Sequence, residues 1–358
     1  MLMLIRYNRL GASSRLRSLQ YLSWLEKSGI QVTVQALLSD KMLMLRYQLG
    51  RYSLWSMIRA YFIRLKTLFQ CHHRFDLVWI EKEALQWFPL WIEATILRKI
   101  PYVLDYDDAV FHKYDQHENF LRYMYGQRLD GLMAKASLVT CGNSYLANRA
   151  HAAGCPWVEV LPTVIDLERY TMRQAIAKLV PLRIVWIGSP ATVHYLQLLH
   201  EPLLTLAEHC LFVLRIIGGD SLNIPKNVQV ETVPWKEDTE VDSISACDIG
   251  VMPLHDTPWE RGKCGYKLIQ YMACGLPIIA SPVGVNCEIV EHGVNGFLAN
   301  TSEEWIHALQ SLINDYALRK RMGQAGRRKV EQHYSLQVIA PRLAALLKKV
   351  VGRVEEYK

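Results

Sequence analysis

Short apolar runs alternate with amphipathic stretches along nearly the whole of this 358-residue chain. Residues 1–6, 31–36, 77–81, 102–105 and 138–141 are brief aliphatic runs of strand length. Segments with three-to-four-residue apolar spacing, the helical pattern, lie between them, the first over 13–28. Strand–helix alternation predicts parallel sheets joined by crossover helices. The series pauses over 162–181, a stretch bounded by Pro162 and Pro181 with a charged middle, which predicts a linker. It resumes at 182–187, 212–217, 228–232, 249–252 and 278–280. Two series predict an α/β protein of two Rossmann-like, doubly wound domains, over 1–175 and 181–335. A helix is expected over 303–331, interrupted at Gly323 and Gly326, and then a last amphipathic helix within 336–358. That last helix either caps the second domain or crosses back to the first. The length agrees, since one hydrophobic core rarely serves so long a chain.

Composition narrows the class. Hydrophobic residues make up 51% and charged residues 21%, an ordinary globular balance. The charge is lopsided: residues 1–180 carry 23 Lys and Arg against 15 Asp and Glu, and the remainder 18 against 19. A basic first half suits an anionic partner. Residues 41–69 concentrate it, with Arg46, Arg51, Arg59, Arg64 and Lys66 among Tyr47, Tyr52, Trp55, Met57, Tyr61 and Phe62. That is the composition of a helix lying on an anionic membrane surface, or of a solvated helix packing aromatics on its own sheet. No nucleic-acid-binding motif accompanies the charge, so nucleic acid is not the expected partner. The eight cysteines form no C-x-x-C pair and fit buried thiols in a reducing, cytoplasmic setting. Neither a signal-peptide pattern nor an apolar run of membrane-spanning length is evident, which suits a peripheral protein on the inner face of the membrane.

The chemistry concentrates in 258–286. A basic loop bearing Arg261, Lys263 and Lys267 opens into a helix, and a strand at 278–280 then leads to Gly284, Val285 and Asn286. Cations and free N–H groups at a helix start favour an anion, and three cations favour a diphosphate. Gly188 and Ser189 end another strand, as does the segment at Trp235, whose ring suits a base. In the first half, Gly11 follows the first strand, Ser13 or Ser14 caps a helix, and Arg15 and Arg17 lie in its first turns. The dinucleotide fingerprint G-x-G-x-x-G is absent there, which argues against a dehydrogenase. Asp105, Asp107 and Asp108 lie at a strand's C-terminal end with His112 nearby. They suit sugar hydroxyls, general-base work or a divalent metal.

At these residues the chain resembles the retaining GT-B glycosyltransferases of the family-4 type. The similar runs are ACDIGVMPL from Ala246, KLIQYMACGLPIIASPVGVN from Lys267 and EIVEHGVNGFL from Glu288. WIGSP at 186–190 and LDYDDAVF at 104–111 resemble a subgroup of bacterial surface-polysaccharide assembly. The resemblance implies two Rossmann-like domains facing a cleft, with the nucleotide-sugar on the second and the acceptor on the first. It implies no cofactor and no nucleotide-binding metal. Donor contacts would come from Gly11, Gly188, Ser189, Trp235, Arg261, Lys263, Lys267, Gln270, Gly284, Val285 and Asn286. Asp107 and Asp108 would act at the reacting centre, while Arg15, Asp105 and His112 would meet the acceptor, a polyprenyl-linked or other glycan. One departure stands out: the family's two glutamates, spaced by seven residues, are replaced by Gly262 and Gln270. A nucleotide-sugar epimerase on the same fold and a non-catalytic sugar-nucleotide-binding subunit remain the alternatives.

Overall fold

The computed structural model describes residues 1–116, 124–172, 181–220 and 224–356. Much of the expected linker, residues 173–180, lies outside them. By internal contacts the chain forms two compact units. The first is Met1–Thr163 with Gly262–Cys264 and Ile339–Lys358, and the second is Val164–Arg261 with Gly265–Val338.

The first unit carries a six-stranded parallel sheet in the order β2-β1-β3-β4-β5-β6. Its strands are β1 (Leu2–Tyr7), β2 (Thr33–Leu38), β3 (Val78–Glu81), β4 (Tyr102–Tyr106), β5 (Leu138–Cys141) and β6 (Val158–Val160). β3, β4 and β5 are buried along their whole length and apolar but for Glu81, Asp105 and Thr140, whose side chains are hydrogen-bonded. β1 pairs with β2 on one side and β3 on the other, with Leu2 opposite both Thr33 and Val78. The chain therefore reverses direction across the sheet between β1 and β3, and ligands of open parallel sheets bind beyond such a reversal. Ile339–Lys358 packs with this unit: Arg342 pairs with Glu159 at 2.6 Å and Arg353 lies 4.2 Å over the Trp157 ring.

The second unit repeats the plan with a sheet in the order β12-β11-β10-β7-β8-β9. Here β7 is Leu182–Ile187, β8 Phe212–Ile217, β9 Gln229–Val233, β10 Ile249–Met252, β11 Ile278–Ala280 and β12 Gly296–Leu298. Its reversal lies between β7 and β10. The short edge strands β6 and β12, three residues each, carry too little pattern to stand out in the sequence.

Three expected elements differ. The helix over 13–28 breaks at Ser18 into Ala12–Arg17, a 3-10 turn at Leu19–Tyr21 and Leu22–Lys27. The stretch 41–69 is two helices, Asp40–Leu49 and Leu54–Gln70, parted by Gly50 in the left-handed region (φ +71°). The helix expected over 303–331 breaks at Asp315, which caps Tyr316–His333 by accepting from the Leu318 amide. Gly323 and Gly326 do not interrupt it. A Cβ on Gly323 would meet the Gly275 carbonyl oxygen at 1.9 Å, so the missing side chain lets the helix lie directly on the turn before β11.

Candidate functional site

In the second unit the C-terminal ends of β7, β8 and β9 converge on one open pocket of about 450 Å³. Pro190, Gly218, Gly219, Asp220, Thr232, Val233, Pro234 and Trp235 line it. Gly218 needs its left-handed backbone (φ +79°), and a Cβ there would strike the Gly188 carbonyl at 2.4 Å. Three backbone turns can thus lie against each other without side chains between them. Trp235 is half-buried, and its Nε1 donates to Glu240 Oε2 at 2.7 Å. Glu240 is 3% exposed and also accepts from the Tyr170 hydroxyl and from Arg169. The indole is therefore held by a buried carboxylate that sequence reasoning passed over.

Beside this pocket the Lys267 ammonium lies 4.0 Å over the Trp186 ring. A Cβ on Gly188 would be 2.8 Å from Lys267 Nζ, so this cation sits at the turn that ends β7. Ser189 is exposed at the same turn. Arg261 is half-exposed and makes a two-pronged pair with Asp256. The two glycine loops of 258–286 do meet: a Cβ on Gly284 (φ +53°) would lie 2.6 Å from the Arg261 carbonyl oxygen. Of the amides expected to hold an anion, that of Asn286 donates instead to Val283 O, and its buried side chain to Ser281 O. Val285 is buried as well.

Gln270 is 3% exposed and donates to the Tyr170 hydroxyl at 2.7 Å, inside the Glu240 network. Its position is a packing one, one layer behind Trp235. Gly262 has an equally plain reason. Its stretch, Gly262–Cys264, belongs to the first unit, where Asn143 Nδ2 donates to the Gly262 and Lys263 carbonyls. A Cβ on Gly262 would lie 2.4 Å from Ala109 Cβ and 2.8 Å from the Ala109 nitrogen. No glutamate fits there.

The first unit gathers its charged groups at the ends of β1, β3 and β4. Ser13 and Ser14 do not cap their helix: the N-cap is Gly11, with no side-chain cap. Instead Ser13 Oγ donates to Asp107 Oδ2 at 2.6 Å, and Ser14 Oγ donates to Glu81 Oε2 at 2.6 Å. Gly11 itself is packed, since a Cβ would meet Tyr7 Cβ at 2.2 Å. Lys82, absent from the sequence expectations, is the hub. Its ammonium is 2.7 Å from Asp107 Oδ1, 3.7 Å from Asp108 Oδ2 and 2.9 Å from Ser13 Oγ. Burial alone would raise Asp107, yet the Lys82 charge and the hydrogen bonds from Lys82 and Ser13 hold it below its ordinary value. Burial and the neighbouring Asp107 charge push Asp108 up, against the pull of Lys82. Two adjacent carboxyls thus have their proton affinities driven apart, the arrangement that separates acid and base roles. Lys82 supplies the countercharge that clustered carboxylates require. Among the described residues no group of three His, Cys, Asp or Glu could hold a metal ion.

The other expected acceptor contacts turn inward. Asp105 is 1% exposed and takes both prongs of the Arg17 guanidinium, at 2.6 and 3.0 Å, plus the Thr140 hydroxyl. Arg15 is buried and donates to Arg9 O. His112 is bracketed by Asp115 and the Tyr145 hydroxyl, each at 2.9 Å. These side chains build the loops rather than project from them.

On the 40–70 helices and the turn between them, Tyr47, Leu54, Trp55, Ile58 and Phe62 are exposed, as are Arg46, Arg51, Arg59 and Lys66. Arg64 leaves the set: it is buried and donates to Ile5 O and Gln35 O at 2.8 and 3.0 Å, stitching the helix to the sheet. No helix of the described residues is long and apolar enough to cross a membrane.

Residues 181–315 match the family model described as Glycosyl transferases group 1, and the pocket and Lys267 lie inside that match. The chain is 33% identical over 81 residues to spore coat protein SA of Bacillus subtilis, a stretch covering 22% of each protein. It is 24% identical over 280 residues to the putative colanic acid biosynthesis glycosyltransferase WcaL of Salmonella typhimurium, covering 73% of this chain and 69% of that one. Among solved structures, Anabaena Alr3699/HepE in complex with UDP is similar with a TM-score of 0.69 at 17% identity, over 97% of this chain and 99% of that one. At such identity the likeness carries the fold, which is the two-domain α/β fold called GT-B.

Proposed function

We propose that the protein is a glycosyltransferase that moves a sugar from a nucleotide-diphosphate sugar to a hydroxyl acceptor with retained anomeric configuration. The observation that carries this reading is Lys267: a cation fixed over Trp186 at the Gly188 turn, beside an open pocket flanked by the Trp235 indole. A fixed cation at a backbone turn suits a leaving diphosphate, whose charge grows in the transition state. The neighbouring pocket suits a base, with Trp235 along its side. The family match over 181–315 supports the same class, and Alr3699/HepE is described in complex with UDP-glucose.

In this reading the second unit holds the donor and the first the acceptor. Asp107, kept ionised by Lys82 and Ser13, accepts a hydrogen bond from a sugar hydroxyl at the reacting centre, and Asp108 holds its proton more readily. The acceptor is a lipid-linked glycan, met at an anionic membrane surface by the exposed aromatic and basic side chains of the 40–70 helices. Each basic residue there gains about 1 kcal/mol from an anionic leaflet.

Thermal-shift titration with UDP-, GDP- and ADP-sugars tests the donor. A bound donor stabilises the folded state, and Lys267→Ala reduces the shift. An unshifted wild-type protein would remove the reading. Labelled nucleotide-sugar incubated alone separates the classes, because an epimer formed without acceptor marks an epimerase. Co-sedimentation with phosphatidylglycerol vesicles tests the membrane face. Binding that survives neutralising Arg46, Arg51, Arg59 and Lys66 together removes that part.

A further inference from the structure

Among the described residues, two that are not glycine adopt left-handed backbone, Lys82 (φ +64°) and Trp87 (φ +65°). They bracket the single loop that leaves β3. A bulky residue in that conformation is strained, and such strain persists where surrounding contacts dictate it and collects at ligand-binding positions. The contacts here are dense. Arg128, 2% exposed, donates to the Leu85 and Phe88 carbonyls and to Glu83 and Glu93. Glu93 Oε1 accepts from the Ala84 amide at 2.8 Å, and Glu83 accepts from the Tyr114 hydroxyl at 2.9 Å.

So much order ends in an indole that is not buried. Trp87 remains 41% exposed, braced in edge contacts by Tyr114 at 4.7 Å and Tyr125 at 6.1 Å between ring centroids. Apolar burial does not account for a ring held under strain and left half in water. Its supports are the loops of the carboxylate cluster. Lys82, at the other end of the loop, grips Asp107, and Tyr114 follows Asp107 and Asp108 on the loop leaving β4. The ring thus presents a rigid, flat, apolar platform on the loop whose first residue, Lys82, grips Asp107, and an aromatic wall with a few polar groups is what small-molecule sites use.

We propose that Trp87 is an acceptor subsite that stacks the C–H face of a pyranose ring. This deepens the glycosyl-transfer reading and rests on it. A sugar ring fits mixed surroundings better than an acyl chain does, because Tyr114, which braces the indole, also donates to Glu83 and lies under the Arg128 guanidinium.

The test uses saturation-transfer NMR on the full chain with UDP present. The probes are methyl α-D-glucopyranoside, methyl α-D-mannopyranoside and methyl β-D-galactopyranoside. Wild type and Trp87→Tyr should transfer saturation to the ring C–H protons of at least one glycoside. Trp87→Ala, and Trp87→Gly, which accepts the same backbone angle, should weaken that binding about tenfold. The UDP-induced thermal shift should stay the same in all four proteins. Equal transfer in Trp87→Ala, or no transfer from wild type to any probe, overturns the subsite. So does a Trp87→Ala protein that keeps the glycoside signal but loses binding to equimolar phosphatidylcholine–phosphatidylglycerol vesicles, which would make the ring a membrane contact. A wild-type protein without a UDP shift fails the donor reading instead, and the glycoside arm is still read on its own.

Discussion

Replacing Lys82 with Met removes the cation that the end of β3 supplies to its neighbouring carboxylates. The Lys82 and Asp107 side chains are 7% and 12% exposed, so water screens their 2.7 Å contact little. Removing one partner of such a buried pair costs about 3–5 kcal/mol, mostly through the charge left behind. Asp107 keeps some access to water, which favours the lower end. For a domain of this size 1 kcal/mol shifts the melting temperature by about 2–4 °C, so a fall of roughly 6–12 °C is expected. The double variant Lys82→Met with Asp107→Asn no longer buries an unpaired charge, and should recover about 1–3 kcal/mol relative to additive losses. The pH dependence has a definite sign. Asp107 is held below 3.8 in the folded chain, so its contribution is full above that value and fades as the pH falls through the lowered native one. Lys82 is raised above 10.5, so its contribution is full below 10.5 and fades as the pH rises through its folded value. The gap between wild type and Lys82→Met in urea unfolding should therefore be widest between those limits and close toward acid. A single variant within about 1 kcal/mol of wild type, or an additive cycle, would refute the reasoning.

Lys267→Ala should weaken UDP binding at least about tenfold by calorimetry while leaving the melting temperature in place, since a charge-assisted contact is worth about 1.5–3 kcal/mol. Gly262→Ala should destabilise the fold by about 1–3 kcal/mol through its clash with Ala109, and Gly262→Glu should fare worse rather than gain activity. Gly323→Ala should also lower the melting temperature, because its Cβ would lie 1.9 Å from the Gly275 oxygen. A rise there, as exposed helical glycines give on replacement by alanine, would contradict the packing described.

The two sheets were legible because their inner strands are short, mostly apolar runs. β4 from Tyr102 and β7 from Leu182 read as strands on composition alone. The edge strands Val158–Val160 and Gly296–Leu298 did not, being three residues long and partly exposed. Asp107 and Lys267 could be singled out from their place after a strand or at a helix start. Lys82 and Glu240 could not, because their importance lies in partners brought near by the sheet, 25 and 5 residues away in sequence for Asp107 and Trp235. Arg64 shows the opposite failure. Its neighbours make it look like a surface cation, and only the register of the helix on β1 and β2 turns it inward to Ile5 and Gln35.

The first unit is assembled from stretches that lie far apart in the sequence. Residues 339–358 belong to it, and they bury Ile339, Leu343, Leu347 and Val350 there. Between Thr163 and Ile339 the ribosome must add the entire second unit. At about 5–20 residues per second that takes on the order of 10–30 s. During that interval the first unit lacks the helix segment that carries these four buried side chains and the cations that meet Trp157 and Glu159. Completion of the first unit therefore waits on translation of the second.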